Sequence, residues 1–163
     1  MNVTIELMNA SSDSSLPALK DFQRWTDTTM GALSKFDDQT LPDSTELSIR
    51  VIDEDESADL NANYRQKQGA TNILSFPYSG IQGTDINLLG DLAICAPLVR
   101  KEAAEQDKTL DAHWAHLTVH GVLHLNGFDH EEDTAAKEME TLETTILKTL
   151  GYKNPYQELT GNE

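Results

Sequence analysis

The sequence predicts an α+β domain of about four strands and four to five helices. Two observations carry this. Before residue 97 the apolar residues fall into four short runs of strand character, at 3–7, 47–52, 71–76 and 89–96; beyond it they recur every three or four positions almost to the end. The 163 residues hold no internal repeat, low-complexity tract or domain-sized linker, so a single domain spanning 1–163 is expected. Residues 154–163 read as a loosely ordered tail.

Taken in order, Val3, Ile5 and Leu7 alternate with polar residues and make a half-buried first strand. A Ser-rich link leads to Pro17, which suits a first helical turn, and Leu19, Phe22, Trp25, Met30 and Leu33 give a helix over 16–34 its apolar face. Asp37, Asp38, Pro42 and Asp43 read as an acidic loop. Leu47, Ile49 and Val51 form the second strand. The run Asp53, Glu54, Asp55, Glu56 suits the N-terminus of a short helix that carries Leu60, Tyr64 and Arg65, because negative side chains are favoured there. A third strand at 71–76 stops at Pro77, and the clustering of Pro77, Gly80 and Gly83 marks 77–88 as a mobile loop. The fourth strand, 89–96, places Leu92 and Ile94 on one face. Helices are expected at 97–106, 111–126 and 133–150. The last has Asp133 as N-cap, Gly151 as its stop, and the stripe Ala135, Met139, Leu142, Ile146 and Leu150, which marks it as a core helix with no functional residue.

Twelve basic against 28 acidic side chains leave a net charge of −16, which excludes a broad basic face for non-specific nucleic-acid binding and favours solubility. A local positive pocket remains compatible with it, as does a bound divalent cation. Cys95 is the only cysteine, so no intrachain disulfide forms; it reads as a small buried residue suited to a reducing compartment. The first residues lack the basic and apolar regions of a signal peptide, and no apolar stretch reaches membrane-spanning length. A cytoplasmic protein is expected.

The chemistry concentrates in HLTVHGVLHLNGFDH, residues 116–130. His120 and His124 are four apart, which on a helix places their Cβ atoms roughly 5–6 Å from each other on one face. Gly127 can adopt φ > 0, end the helix and turn the chain so that His130 reaches the same point. Three imidazoles around one ion leave a position open, the layout of a catalytic zinc site. Of the other histidines, His113 is assigned to solvent, and His116 to packing or to a hydrogen bond behind a ligand. Gly121 inside the helix costs about 1 kcal/mol relative to Ala; it implies that another backbone packs there or that a substrate approaches over it. Asp129 and Glu131 flank His130, where either could orient a ligand or relay a proton, and Asp129 could equally cap the turn.

The spacing H-x-x-x-H-x-x-G-x-x-H also matches the metzincin proteases, but their general-base Glu is replaced here by Gly121, which accepts no proton. A zinc protease lacking the usual Glu therefore stays open, as does a non-catalytic protein whose zinc is structural. A structural zinc site favours four protein ligands, often Cys, and only Cys95 is present.

Four stretches resemble the YbeY family of metal-dependent, single-strand-specific endoribonucleases: WAHLTVHGVLHLNGFDH (114–130), LNANYRQKQGATNILSFP (60–77), LGDLAICA (89–96) and LGYKNPY (150–156). The resemblance implies a zincin-like fold with a mixed sheet, and one Zn2+ on His120, His124 and His130. It also implies a functional Arg65 in L-N-x-x-Y-R, and a role in ribosomal RNA maturation at the small-subunit 3′ end and in ribosome quality control. The implied partners are single-stranded RNA, ribosomal RNA and the small subunit or its proteins, with neither DNA nor a membrane. Arg65 would answer transition-state charge on phosphate; read from the residues alone, it could equally pair with the acidic run. Lys67, Arg100 and Lys101 are the other basic residues near the motifs. Phe128 stands where Tyr is common in the family, which removes one hydroxyl near His130.

Overall fold

In the computed structural model, residues 2–35, 44–78, 88–128 and 132–155 are described. Their elements run β1 (Asn2–Asn9), α1 (Leu19–Lys35), β2 (Ser44–Ile52), α2 (Glu54–Arg65), β3 (Ile73–Pro77), β4 (Leu88–Cys95), α3 (Ala96–Glu105), α4 (Leu110–Leu125) and α5 (Asp133–Thr149). The acidic loop at 37–43, most of the 77–88 loop and most of the tail lie outside the described residues.

The strands form one sheet in the order β1-β2-β4-β3. β1 runs parallel to β2 and β2 to β4, whereas β3 is antiparallel to β4 and forms an edge. The fold is thus α+β with a mixed sheet, as expected. Alternation explains β1, where Val3 and Ile5 are buried between exposed neighbours. β4 instead buries Leu92, Ala93, Ile94 and Cys95 in succession, because both of its faces are covered. On one face Ile49, Val51, Ile73, Leu92 and Ile94 join the main core with α1, α4 and α5. On the other, Ile52, Leu74, Ala93 and Cys95 pack with Leu60 of α2 and Leu98 of α3.

α4 is the central helix, touching α1, α3, α5, β3 and β4. Being enclosed, it is apolar around most of its circumference rather than on one stripe. Trp114 anchors it edge-on against Phe22 of α1, with ring centroids 5.8 Å apart. The space at Gly121 is taken by sheet side chains. A Cβ there would lie 2.7 Å from Ile73 Cδ1 and 2.8 Å from Leu92 Cδ2, so the glycine lets α4 settle onto β3 and β4. Neither a second backbone nor a substrate path is needed to explain it.

Both ends of α4 are chemically marked. Thr109 Oγ1 accepts the Ala112 N–H at 3.1 Å and caps the helix, which begins at Leu110, one residue before the expected start. At the other end Gly127, with φ +97°, donates to His124 O and Phe128 donates to Leu123 O, closing the helix in a Schellman motif. α5 ends the same way at Gly151, with Tyr152 N–H on Leu147 O at 2.8 Å. Its N-cap is Glu132 rather than Asp133. The acidic run lies where helix electrostatics favours it, since Glu54, Asp55 and Glu56 form the first turn of α2.

Candidate active site

His120 and His124 lie one turn apart on α4, and their Nε2 atoms approach to 3.0 Å. Their ring centroids are 4.5 Å apart. This convergence follows from the i, i+4 spacing. Among the described residues no group of three His, Cys, Asp or Glu side chains is set to hold an ion. His130, like Asp129 and Glu131, falls outside them.

Arg65 closes α2 and lines, with Thr71, Asn72, Ile73, Ser75, His120 and His124, a cavity of about 380 Å³. Local bonds hold it there. Gln66 takes the left-handed conformation at φ 54° and stops the helix. The following segment is then latched back onto α2, with Asn61 Nδ2 donating to Gly69 O at 2.8 Å and Ser57 Oγ donating to Thr71 O at 2.7 Å. Among the described residues Arg65 makes no ion pair; it is Arg50 that takes Glu56 from the acidic run, at 2.6 and 3.0 Å.

Behind the histidine pair lies a polar cluster. His120 Nδ1 contacts Oε1 of Glu143, a fully buried side chain on α5. The other carboxylate oxygen is 3.6 Å from His116 Nε2. Lys108 Nζ lies 3.3 Å from His116 Nδ1 and 3.1 Å from His113 Nδ1. His113 Nε2 lies 2.9 Å from Glu102 Oε1, which also accepts from Asn72 Nδ2 in the cavity wall. Burial pushes the His116 ring below the usual imidazole range, against the pull of Glu143. It likewise lowers Lys108, which Glu102 and Glu143 partly offset. The bond from His113 holds the Glu102 carboxyl below its ordinary value.

Two expectations are corrected here. His113 is 2% exposed rather than solvated, because α3 covers it and supplies Glu102. α5 is more than a core helix, because Glu143 occupies a position of its buried stripe between Met139 and Leu147. A carboxylate four residues after Met139 and four before Leu147 was the available sequence signal. Lys108 carried no comparable mark. His116 does what was expected, packing beside the site and facing Glu143.

Two imidazoles and a guanidinium around one cleft are the equipment of an enzyme that binds an anionic substrate. The model of the family described as Endoribonuclease YbeY matches residues 6–151. A relative of that name from Nitrosococcus oceani is 49% identical over 159 residues, 96% of this chain and 99% of its own. Another, from Colwellia psychrerythraea, is 48% identical over 154 residues, 94% of this chain and 97% of its own. The solution structure of TM1509 from Thermotoga maritima superposes with a TM-score of 0.57 over 95% of this chain and all of that one; at 21% identity it speaks for the fold alone. The chain belongs to the Endoribonuclease YbeY family.

Proposed function

We propose that the protein is a metal-dependent endoribonuclease that cleaves single-stranded RNA in the maturation of ribosomal RNA, at the small-subunit 3′ end, and in ribosome quality control. The observation that carries the reading is that Arg65 shares one cavity with His120 and His124, within a family named for RNA cleavage. The residues fit one Zn2+. The Nε2 atoms of His120 and His124 converge at 3.0 Å, and Glu143 occupies the opposite nitrogen of His120, leaving Nε2 to the cavity. His130 would be the third ligand. When bound, the ion supplies Lewis acidity, lowering the pKa of water and polarising a phosphate oxygen.

The chain's own groups do the rest. Arg65 holds non-bridging phosphate oxygens with its planar fork and opposes the charge that builds on them. Asn72, Thr71 and Ser75 line the same wall with hydrogen-bonding groups. Tyr64, 64% exposed beside Arg65 and edge-on to Phe76 at 5.2 Å, offers a face to an unstacked base. With a net charge of −16, long-range attraction does not gather RNA, so the ribosomal small subunit or one of its proteins supplies the address. A cytoplasmic setting follows from these partners, and no described helix is long and apolar enough to cross a membrane.

The deciding assay incubates the purified protein with a single-stranded RNA oligonucleotide, the same RNA as a duplex, and casein, each with and without chelator. Chelator-sensitive cleavage of the single strand, restored by Zn2+ and lost in His120→Ala, is expected. Casein cleavage, or tight zinc with no cleavage of either substrate, would overturn the reading.

A further inference from the structure

We propose that Glu143 is the positioning residue that makes His120, rather than its neighbour His116, a metal-binding imidazole: its carboxylate accepts a hydrogen bond from the His120 Nδ1–H, which keeps the proton on that nitrogen and turns the Nε2 lone pair toward His124 and the cavity. The inference rests on reading this histidine pair as a metal site.

The directions of the hydrogen bonds carry it. An ammonium donates and cannot accept. Lys108 Nζ meets Nδ1 of both His113 and His116, so those two nitrogens are acceptors, and each neutral ring keeps its proton on Nε2. Both Nε2 atoms then face carboxylates, Glu102 for His113 and Glu143 for His116. Neither ring has an Nε2 lone pair to offer. His120 is turned the other way, with Nδ1 against Glu143. Glu143 thus lies between two rings one turn apart and sorts them into opposite tautomers. A carboxylate in the apolar stripe of a core helix is unfavourable unless it has polar partners, and here Oε1 is bonded to His120 while Oε2 lies 3.6 Å from His116 Nε2. The chain continues through Lys108, His113 and Glu102 to Asn72, so the ligand's support is anchored in the same wall that faces the substrate.

The test uses the full-length protein. In the metal-free, 15N-labelled protein, long-range proton–nitrogen spectra should show His120 protonated on Nδ1 and His116 on Nε2. Zn2+ affinity, measured by competition with a chromophoric chelator, should fall about 10–100-fold in Glu143→Leu. It should fall less in Glu143→Gln, whose amide oxygen still accepts a hydrogen bond from the Nδ1–H. Glu140→Gln, on the exposed side of the same helix, is the control. If the Leu variant does not fold, the spectra of the Gln variant and its Zn2+ affinity decide. A wild-type His120 protonated on Nε2, or Zn2+ affinity unchanged in both Glu143 variants, would overturn the proposal. A wild-type protein with the expected tautomers that binds no Zn2+ would remove the metal reading instead and leave the pairing standing.

Discussion

Ser57 Oγ donates to the Thr71 carbonyl at 2.7 Å and accepts the Thr71 N–H at 2.9 Å, so one buried hydroxyl satisfies both backbone groups of a residue fourteen positions away. Thr71 lines the cavity and Arg65 lies between the two. Removing the hydroxyl leaves two polar groups without partners, a loss of about 1–3 kcal/mol each where water cannot replace it. Ser57→Ala should therefore lower the denaturant midpoint and reduce kcat/KM together. A variant with full stability and activity would show that the latch does not hold the cavity wall.

Gly121→Ala sets two effects against each other. Ala favours the helix by about 1 kcal/mol. Its Cβ, however, would fall 2.7 and 2.8 Å from Ile73 and Leu92, both buried, and overpacking of that kind costs about 1–3 kcal/mol. The clash should win, giving a net loss of about 1 kcal/mol in urea unfolding and a larger one for Gly121→Val. A stabilised alanine variant would mean that the sheet yields at this point.

Arg65→Ala should keep the fold and the bound metal while cleavage of single-stranded RNA falls on the order of 10²-fold or more, as when one transition-state donor is lost. Arg65→Lys should recover little, because an ammonium cannot reproduce the fork. Zinc content and single-turnover cleavage on the same samples check this. Unchanged cleavage in the Ala variant would leave Arg65 a bystander of the cavity.

Glu102 supplies a pH signature. Its carboxyl is lowered, chiefly by the bond from His113, so the unfolded chain binds that proton more readily than the folded one. Its contribution is then present above the ordinary Glu range, about pH 4.3, and is lost as pH falls through the lower folded value. The stability gap between wild type and Glu102→Gln should be flat from pH 8 to about 5 and narrow below about 4.3. Chemical denaturation across that range tests it, and a gap that widens in acid would reverse the sign.

The site was legible where its geometry is local. His120 and His124 converge because four residues make one helical turn, and Gly127 ends α4 because it tolerates φ +97°. The acidic start of α2 and the alternation of β1 are equally short-range. His113 was misread because its burial depends on α3, which its own spacing on α4 does not reveal.

By itself, the sequence determined the helices and strands, the histidine pair and the motifs of the family, because each is written within one or two turns of backbone. The tertiary structure alone decided that β3 lies antiparallel at the sheet edge, that Arg65 enters the cavity of His120 and His124, and that Glu143 reaches His120 across 23 residues of chain. Those contacts join elements that meet only when the sheet and α4 pack, and their energy comes from burial shared across the whole core, which no short stretch of residues encodes.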